Sequence, residues 1–563
     1  MMNKGSLLNS TQSKDSSNSK QTTPKASKGA ALFGSSDEED DMDDLLLQKE
    51  KTKKEQQMEL QKQLSHQRSA EKQRSSPQTP MKFTPGDFVG ESQAEFVKKY
   101  YCMKPPLGVG LFGTVYKARA RQGGSLRAVK KIRKDHSKAK SIENLLKDVE
   151  VLKRLDHPNI IKVYEFYQDE SSYYIVMEYC AGGELFDRIV QEKNFNENRA
   201  AEMMSYILSA IAYCHEKNLV HCDLKPENLM LASNRFDETL IKIIDFGNSS
   251  FREDGKMLKN KFGSVYYVAP EVLKANYNEK CDVWSLGVIL YLMLSGKPPF
   301  NGNSDQAILK KVYHGKYSLE GPEWAQISNE AKELIRLMLT YDPEKRISAR
   351  EALKHPWFTN NTKEKVLRLD LPIGRRSLRN LKDFRAKNKL QESILYYLVN
   401  QLTSKEEKQE LMNQFLSIDT DNDGLLSKEE LLKAYKKTGK GTEDAEKIVK
   451  TIMDNVDKTG SGKINYSEFV VATISKRNFF SEDRLVTAFK MFDSESKGFI
   501  GATELKSIFN CGVFQQIDEN IWNMMINEFT GDDDNGKIDF PTFKAIMKKF
   551  AENEQITQSI RYD

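Results

Sequence analysis

The rhythm of apolar and polar positions changes three times along the chain. Residues 1 to about 95 are mostly Ser, Lys, Gln, Asp and Glu, with few aromatics. Such a segment buries too little apolar surface to offset its ordering entropy, so a disordered extension is expected. Within it, "SSDEEDDMDD" (35 to 44) is an acid block and 48 to 75 a charged, helix-compatible stretch. From about 101, short β-branched and aromatic runs, "YYIVMEY" (173 to 179) and "LIKIIDF" (240 to 246), read as strands. "RAAEMMSYILSAIAYCHEKN" (199 to 218) carries apolar residues at helical spacing and reads as a buried helix. "VWSLGVILYLML" (283 to 294) is apolar all round. It falls short of the roughly 18 residues a bilayer span needs, so it reads as a core helix. Strands first and helices later predict an α+β domain of two lobes. After 403, four acidic, glycine-containing loops begin at 419, 457, 493 and 531, spaced by 38, 36 and 38 residues. That internal repeat marks a separate, all-α domain.

The chain's 563 residues exceed one ordinary core, so two or three domains are expected. Charge alters the picture little: 86 basic and 81 acidic groups leave +5, which argues against a dedicated nucleic-acid binder. The 6 Cys include no C-x-x-C pair, so neither a disulfide framework nor a zinc site is indicated. A reducing, cytoplasmic setting is expected. "MMNKGS" offers neither an apolar signal region nor a Gly at position 2, so no membrane anchor is expected.

Two kinds of chemistry stand out. The first begins with "LGVGLFGTVYKA" (107 to 118), where Gly108, Gly110 and Gly113 leave room for backbone amides to approach phosphate oxygens. The flanks are strand-like, with Val115 two residues on and no helix following, so a β-hairpin lid is favoured over a dinucleotide turn. "RAVKKI" places Lys130 in a strand seventeen residues after Gly113. "HCDLKPENL" (221 to 229), "IDFGN" (244 to 248) and "APE" (269 to 271) follow in order.

This ordered set resembles the eukaryotic protein kinases over roughly 101 to 358. The resemblance implies a bilobal fold that uses ATP. Leu107, Gly108, Val109, Gly110, Gly113, Val115 and Lys130 would surround the nucleotide, and the segment holding Glu178 and Cys180 would pair its backbone with adenine, beside Met177. Asp223 would orient the substrate hydroxyl or accept its proton, Lys225 would sit near the transferred phosphoryl, and Asn228 and Asp245 would hold Mg²⁺. Carboxylates suit that task because they bind hard, oxygen-seeking cations. Glu271 with Arg346 matches a structural ion pair, and Asp282 a brace for the catalytic loop. "DLKPEN" implies Ser/Thr targets. Glu184 and Glu227 match positions that read a basic residue in the protein substrate, against the plain alternative of solvated surface acids.

Two positions depart from the pattern. Cys222 stands where an Arg normally pairs with an activation-segment phosphate, which suggests activation without that phosphorylation. Asp148 falls where the helix partner of Lys130 is usually Glu, with Glu150 two residues on, and offsets of two do not share a helix face.

The second chemistry is calcium. "DTDNDGLLSKEE" (419 to 430) fits a twelve-residue calcium loop. Asp419, Asp421 and Asp423 supply carboxylates, Gly424 the turn, Leu425 a carbonyl, Ser427 a water-bridged contact and Glu430 a bidentate carboxylate. The loop 457 to 468 offers Asp457, Thr459, Ser461, the Lys463 carbonyl and Glu468. With two carboxylates instead of four it is expected to bind more weakly. The third loop puts Lys497 on a ligand position, and the fourth has Gly531 and Thr542 where acids are needed, so both are expected to be poor sites. The four should pair as two lobes.

Residues 359 to 402 join the two regions. Leu378, Leu381 and Phe384, then Leu390, Ile394, Leu398 and Leu402, lie three or four apart. Arg375, Arg376, Arg379, Lys382 and Arg385 make the other side basic, the pattern of a helix laid in a calcium sensor's groove. Its alternative is a linker packed on the first domain. A kinase, a basic amphipathic junction and a calmodulin-like domain (403 to 553, tandem EF-hands, then a tail 554 to 563) are together similar to the calcium-dependent protein kinases of plants and protists. That resemblance implies a Ser/Thr kinase autoinhibited by the junction until calcium binds the EF-hands. The rival reading is a calcium-binding scaffold with an inactive kinase domain.

Overall fold

The computed structural model describes residues 90–559 apart from 93–95, 111–112, 135–148, 193–194, 236–238, 254–255, 260–263, 362–371, 385–388, 494, 510–518 and 531–535. Seven strands form the first sheet: β1 (Gly90–Ser92), β2 (Tyr100–Cys102), β3 (Gly108–Gly110), β4 (Gly113–Ala120), β5 (Leu126–Arg133), β6 (Val163–Gln168) and β7 (Ser172–Glu178). Their order is β1-β6-β7-β5-β4-β2, with β3 on β4. All pairs are antiparallel except β1 on β6. The run "YYIVMEY" therefore falls on β7, whose Ile175 and Val176 are buried.

The second lobe is built on two helices read from the sequence. Asn196 caps the helix Glu197–Glu216, its side chain accepting the Arg199 N–H at 2.9 Å. The apolar run at 283 to 294 lies in Lys280–Ser295, buried along its whole length after Lys280. Gly296 ends that helix at φ +71°, a left-handed turn that favours Gly. The helices share a core with Leu229, Leu231, Ile241 and Ile243, from the short strands beside the catalytic loop.

A second core holds the calcium-loop region together with the junction. Loops 1 and 2 pair through Leu426 and Ile464, whose mutual backbone hydrogen bonds are 2.8 and 2.9 Å. Loops 3 and 4 pair through antiparallel strands, Ile500 opposite Ile538. The expected two lobes are thus present. The junction forms two helices, Pro372–Asp383 and Lys389–Leu402. Leu378, Leu381, Phe384, Leu390, Ile394 and Leu398 are all buried among the EF-hand helices, each contributing on the order of 1.5–3 kcal/mol. Leu402 packs against the same core, and Arg376 and Arg379 face solvent. Asn380 Nδ2 donates to Thr473 O at 2.8 Å, Tyr435 donates to Leu378 O, and Arg376 to Ser475. The junction thus packs on the calcium-loop helices and also touches the first domain, where Arg127 Nη2 donates to Gln401 O at 3.0 Å and to Gln401 Oε1 at 3.2 Å. The side chains of Arg375 and Arg385 lie outside the described residues.

Candidate active site and calcium loops

The catalytic loop is held by one buried carboxylate. Asp282, 1% exposed in the first turn of Lys280–Ser295, accepts the backbone N–H of His221 at 2.8 Å and of Cys222 at 2.9 Å, and lies 2.9 Å from His215 Nε2. Burial pushes the Asp282 carboxyl up, but hydrogen bonding and charge from His215, with His221, carry it below the usual carboxylate range. It therefore stays ionised and fixes the turn. At that turn Cys222 adopts φ +66°. Its thiol lies against Val220 O (3.6 Å) and Tyr277 Oη (4.0 Å). The thiol can offer a phosphate no charge.

Asp223 stands at the centre, 8% exposed. Lys225 Nζ donates to its Oδ2 at 2.9 Å, and Asn228 Nδ2 donates to its backbone carbonyl at 2.8 Å. Ile244 N–H in turn donates to Asn228 O at 2.9 Å, which ties the Asp245 turn to the catalytic loop. Asp245 holds φ +63°, a conformation costly for a non-glycine residue. Phe246 behind it packs on the His221 ring, centroids 4.7 Å apart. Two partners of Asp223 were not legible in the sequence. Ser264 Oγ donates to its Oδ1 at 3.2 Å and Asn248 Nδ2 to its Oδ2 at 3.3 Å. They lie 41 and 25 residues downstream, and no spacing rule singles them out.

The glycine segment is a β-hairpin: Gly108 pairs Val115, Val109 pairs Thr114 and Gly110 pairs Gly113. A Cβ on Gly113 would stand 2.5 Å from Lys131 O, so only glycine lets β4 pass this close to β5. Leu107 and Val109 are exposed on the rim. Lys130 sits on β5 between Val115 and Ile175. Asp148 lies outside the described residues, and Glu150 is 61% exposed and paired with Lys153 at 3.3 Å. At the end of β7 the Glu178 side chain turns to buried Lys242, 3.0 Å away, while its backbone N–H donates to Lys162 O at 2.9 Å. Burial, then the charge of Glu178, pushes the Cys180 thiol up to about 12, so it acts as an apolar wall. Met177 is half-buried beside it. Glu184 is half-buried on a short strand opposite Met230, and Glu227 is exposed. Arg346 Nη2 donates to Glu271 Oε2 at 3.0 Å, both buried, so this pair is architecture.

In loop 1, carboxylate oxygens of Asp419, Asp421 and Asp423 lie within 4.8 Å of one another, a cage suited to a hard cation. Asp419 is anchored by the N–H groups of Asp423 and Gly424, both at 3.1 Å. Glu430 closes the loop on the Thr420 N–H at 2.6 Å and caps its own helix through Ser427. Loop 2 is thinner. Asp457 takes the Gly462 N–H at 2.7 Å and the Thr459 hydroxyl at 3.1 Å, and Ser461 Oγ donates to Lys463 O at 2.8 Å. Burial, against backbone hydrogen bonds from Asn465, Thr459 and Lys458, pushes the Glu468 carboxyl up to about 8. In loop 3, Lys497 Nζ lies 2.9 Å from both Glu495 and Glu504, filling the site with its own cation. Residues 531–535 of loop 4 lie outside the described residues.

A protein kinase domain model matches residues 101–358, and an EF-hand domain pair matches 408–473. "Calcium-dependent protein kinase 4" of Plasmodium falciparum is 41% identical over 478 residues, covering 83% of this chain and 90% of that protein. The chain belongs to the calcium-dependent protein kinase family. Its likeness extends to "Calcium-dependent protein kinase 33" of Arabidopsis thaliana, 38% identical over 471 residues, with 83% of this chain and 88% of that protein covered. The kinase thus carries both chemistries in one chain, and the EF-hand match covers the two loops with the better ligand sets. No helix among its described residues is long and apolar enough to cross a membrane.

Proposed function

We propose that this chain is a calcium-activated serine/threonine kinase that moves the γ-phosphate of ATP to protein hydroxyls. The observation that carries the reading is Asp223, fixed by Lys225, Asn248 and Ser264 beside Asn228 and Asp245, in a chain whose loop 1 gathers three carboxylates. Asp223 orients the attacking hydroxyl and takes its proton. Lys225 shares the charge of the moving phosphoryl group, and Lys130 holds phosphate oxygens under the hairpin of β3 and β4. Asn228 and Asp245 would hold Mg²⁺, which supplies positive charge against the phosphate oxygens. The Asp148 helix position would pair with Lys130. Glu184 and Glu227 would favour substrates with a basic residue near the target. Cys222 makes activation independent of a phosphate on the activation segment.

Asp419, Asp421, Asp423, Leu425, Ser427 and Glu430 would hold the first calcium ion. Asp457, Thr459, Ser461, Lys463 and Glu468 would hold a second, more weakly. The junction's apolar face is shared between two states: buried in the EF-hand lobes it leaves the substrate cleft open, and released from them it blocks that cleft. To swing from 1:99 to 99:1, calcium must favour the open state by about 5.5 kcal/mol. The reading places the enzyme in the cytoplasm. The test is transfer of labelled phosphate to a basic serine peptide, with calcium and with a chelator. Transfer should rise steeply with calcium and fall by about 10² to 10⁴ in Asp223→Asn. Equal rates with chelator and calcium would remove the switch and leave the kinase.

A further inference from the structure

Loop 1 does not stand free in solution. Gly424, at φ +77°, lies so close to the kinase that a Cβ there would stand 2.0 Å from the His157 ring. Leu425 packs against the kinase core. His157 is 4% exposed and fixed by Ser209 Oγ at 3.0 Å and the Asn159 N–H at 3.0 Å. Burial, then the charge of Lys242, holds its imidazole down to about 3, so it presents a neutral surface. The charge at this seat comes from elsewhere. Arg350, in the first turn of the short helix Ala349–Ala352, puts Nη2 3.2 Å from Asp421 Oδ2 and 3.6 Å from Asp423 Oδ2. Glu216 holds the same guanidinium from the other side. Lys463, from loop 2, meets Asp423 Oδ2 as well.

We propose that Arg350 is a counter-cation supplied by the kinase domain to the first calcium loop, so that docking of the loop and calcium binding by it oppose each other. The inference rests on the reading of loop 1 as a calcium site. Both carboxylates that Arg350 touches are ion ligands on that reading. A guanidinium a few ångströms from a bound divalent cation repels it, and the bound cation in turn drains the charge that attracts the guanidinium. By linkage the two effects are equal: the factor by which Arg350 weakens calcium binding is the factor by which calcium loosens Arg350. The kinase domain thereby sets the calcium threshold of its own sensor, and arrival of the ion frees this corner of the loop from the kinase. Arg350 is 42% exposed, so solvent screens it and the effect is a tuning of affinity rather than a block.

The test is calcium binding by the full chain, read by calorimetry rather than by activity, in a Glu468→Gln background that silences loop 2. Arg350→Gln should tighten loop 1 by about three- to tenfold, the range expected of a partly exposed charge acting on a divalent ion. Arg350→Lys, which keeps the charge, should shift it much less. Raising ionic strength from about 0.05 M to about 0.5 M should close most of the gap between Arg350→Gln and the parent. Unchanged or weaker binding in Arg350→Gln, with loop 1 still loading in the parent, would overturn the coupling alone. A parent whose loop 1 takes no calcium would overturn the coupling together with the reading of the site.

Discussion

Ser467 is the sharpest test of how the EF-hand region grips the kinase. It opens the helix Tyr466–Thr473, and its N–H and Oγ donate to the two carboxylate oxygens of Asp156 at 2.9 and 2.8 Å. Asp156 is 3% exposed. Lys162 completes the cluster, donating to Ser467 Oγ at 3.0 Å and lying 3.4 Å from Asp156. Ser467→Ala removes one charge-assisted hydrogen bond and leaves Lys162 with a single, longer partner, while the backbone N–H bond survives. A hydrogen bond to a charged group contributes about 1.5–3 kcal/mol. Taking about 2 kcal/mol, the docked population should fall about thirtyfold relative to the undocked one. The assay is hydrogen exchange, parent and variant compared at the same fixed calcium concentration, at amides 157–163 on the kinase and 466–473 on the sensor. Both stretches should lose protection together. If both keep wild-type protection, the Asp156–Ser467 cluster does not hold the domains and the reasoning fails.

Three further outcomes follow from the same geometry. Arg346→Leu strands buried Glu271 without its partner, which typically costs about 3–5 kcal/mol and should lower the kinase domain's melting temperature by roughly 10 °C; a change within error in a thermal scan would contradict it. Leu381→Ala opens a void between the junction and the EF-hand core and should cost about 2–5 kcal/mol, read as weaker capture of the junction and a raised calcium requirement. Docking should also depend on pH. Lys408 donates to Tyr164 Oη at 3.0 Å across the interface. Burial, then the charges of Arg127, Lys242 and Lys162, against Glu178, bring its ammonium down to about 7. The docked state thus binds fewer protons than the undocked one between about 7 and the ordinary lysine value. Docking should strengthen as pH rises through that window and stay flat below it. Lys408→Met should abolish this slope in a pH series of the exchange experiment.

The chemistry was legible where function demands residues close in sequence. The loop 221 to 229 carries Asp223, Lys225 and Asn228 within six residues, and the calcium loop at 419 fits within twelve. Periodicity found the core helix at 283 to 294 and the buried face of the junction, since both follow from helix geometry alone. What stayed hidden are contacts between distant positions. Ser264 reaches Asp223 across 41 residues, and Arg350 reaches Asp421 across 71. Each is an ordinary polar residue until the fold brings its partner near. The loss of charge at Cys222 was readable, but not that its thiol lies against Val220 and Tyr277. The cation inside loop 3 was readable because Lys497 sits within the repeat itself, and its ammonium meets Glu495 and Glu504 there.

The central claim is that the carboxylates of loop 1 decide when Asp223 works. The most direct measurement is the rate of phosphate transfer against free calcium for the parent chain and for Glu430→Gln, which removes the charge that closes the loop. The account predicts a steep rise for the parent, and for the variant a curve moved at least tenfold to higher calcium or lost, with nucleotide binding unchanged. Superimposable curves would contradict it.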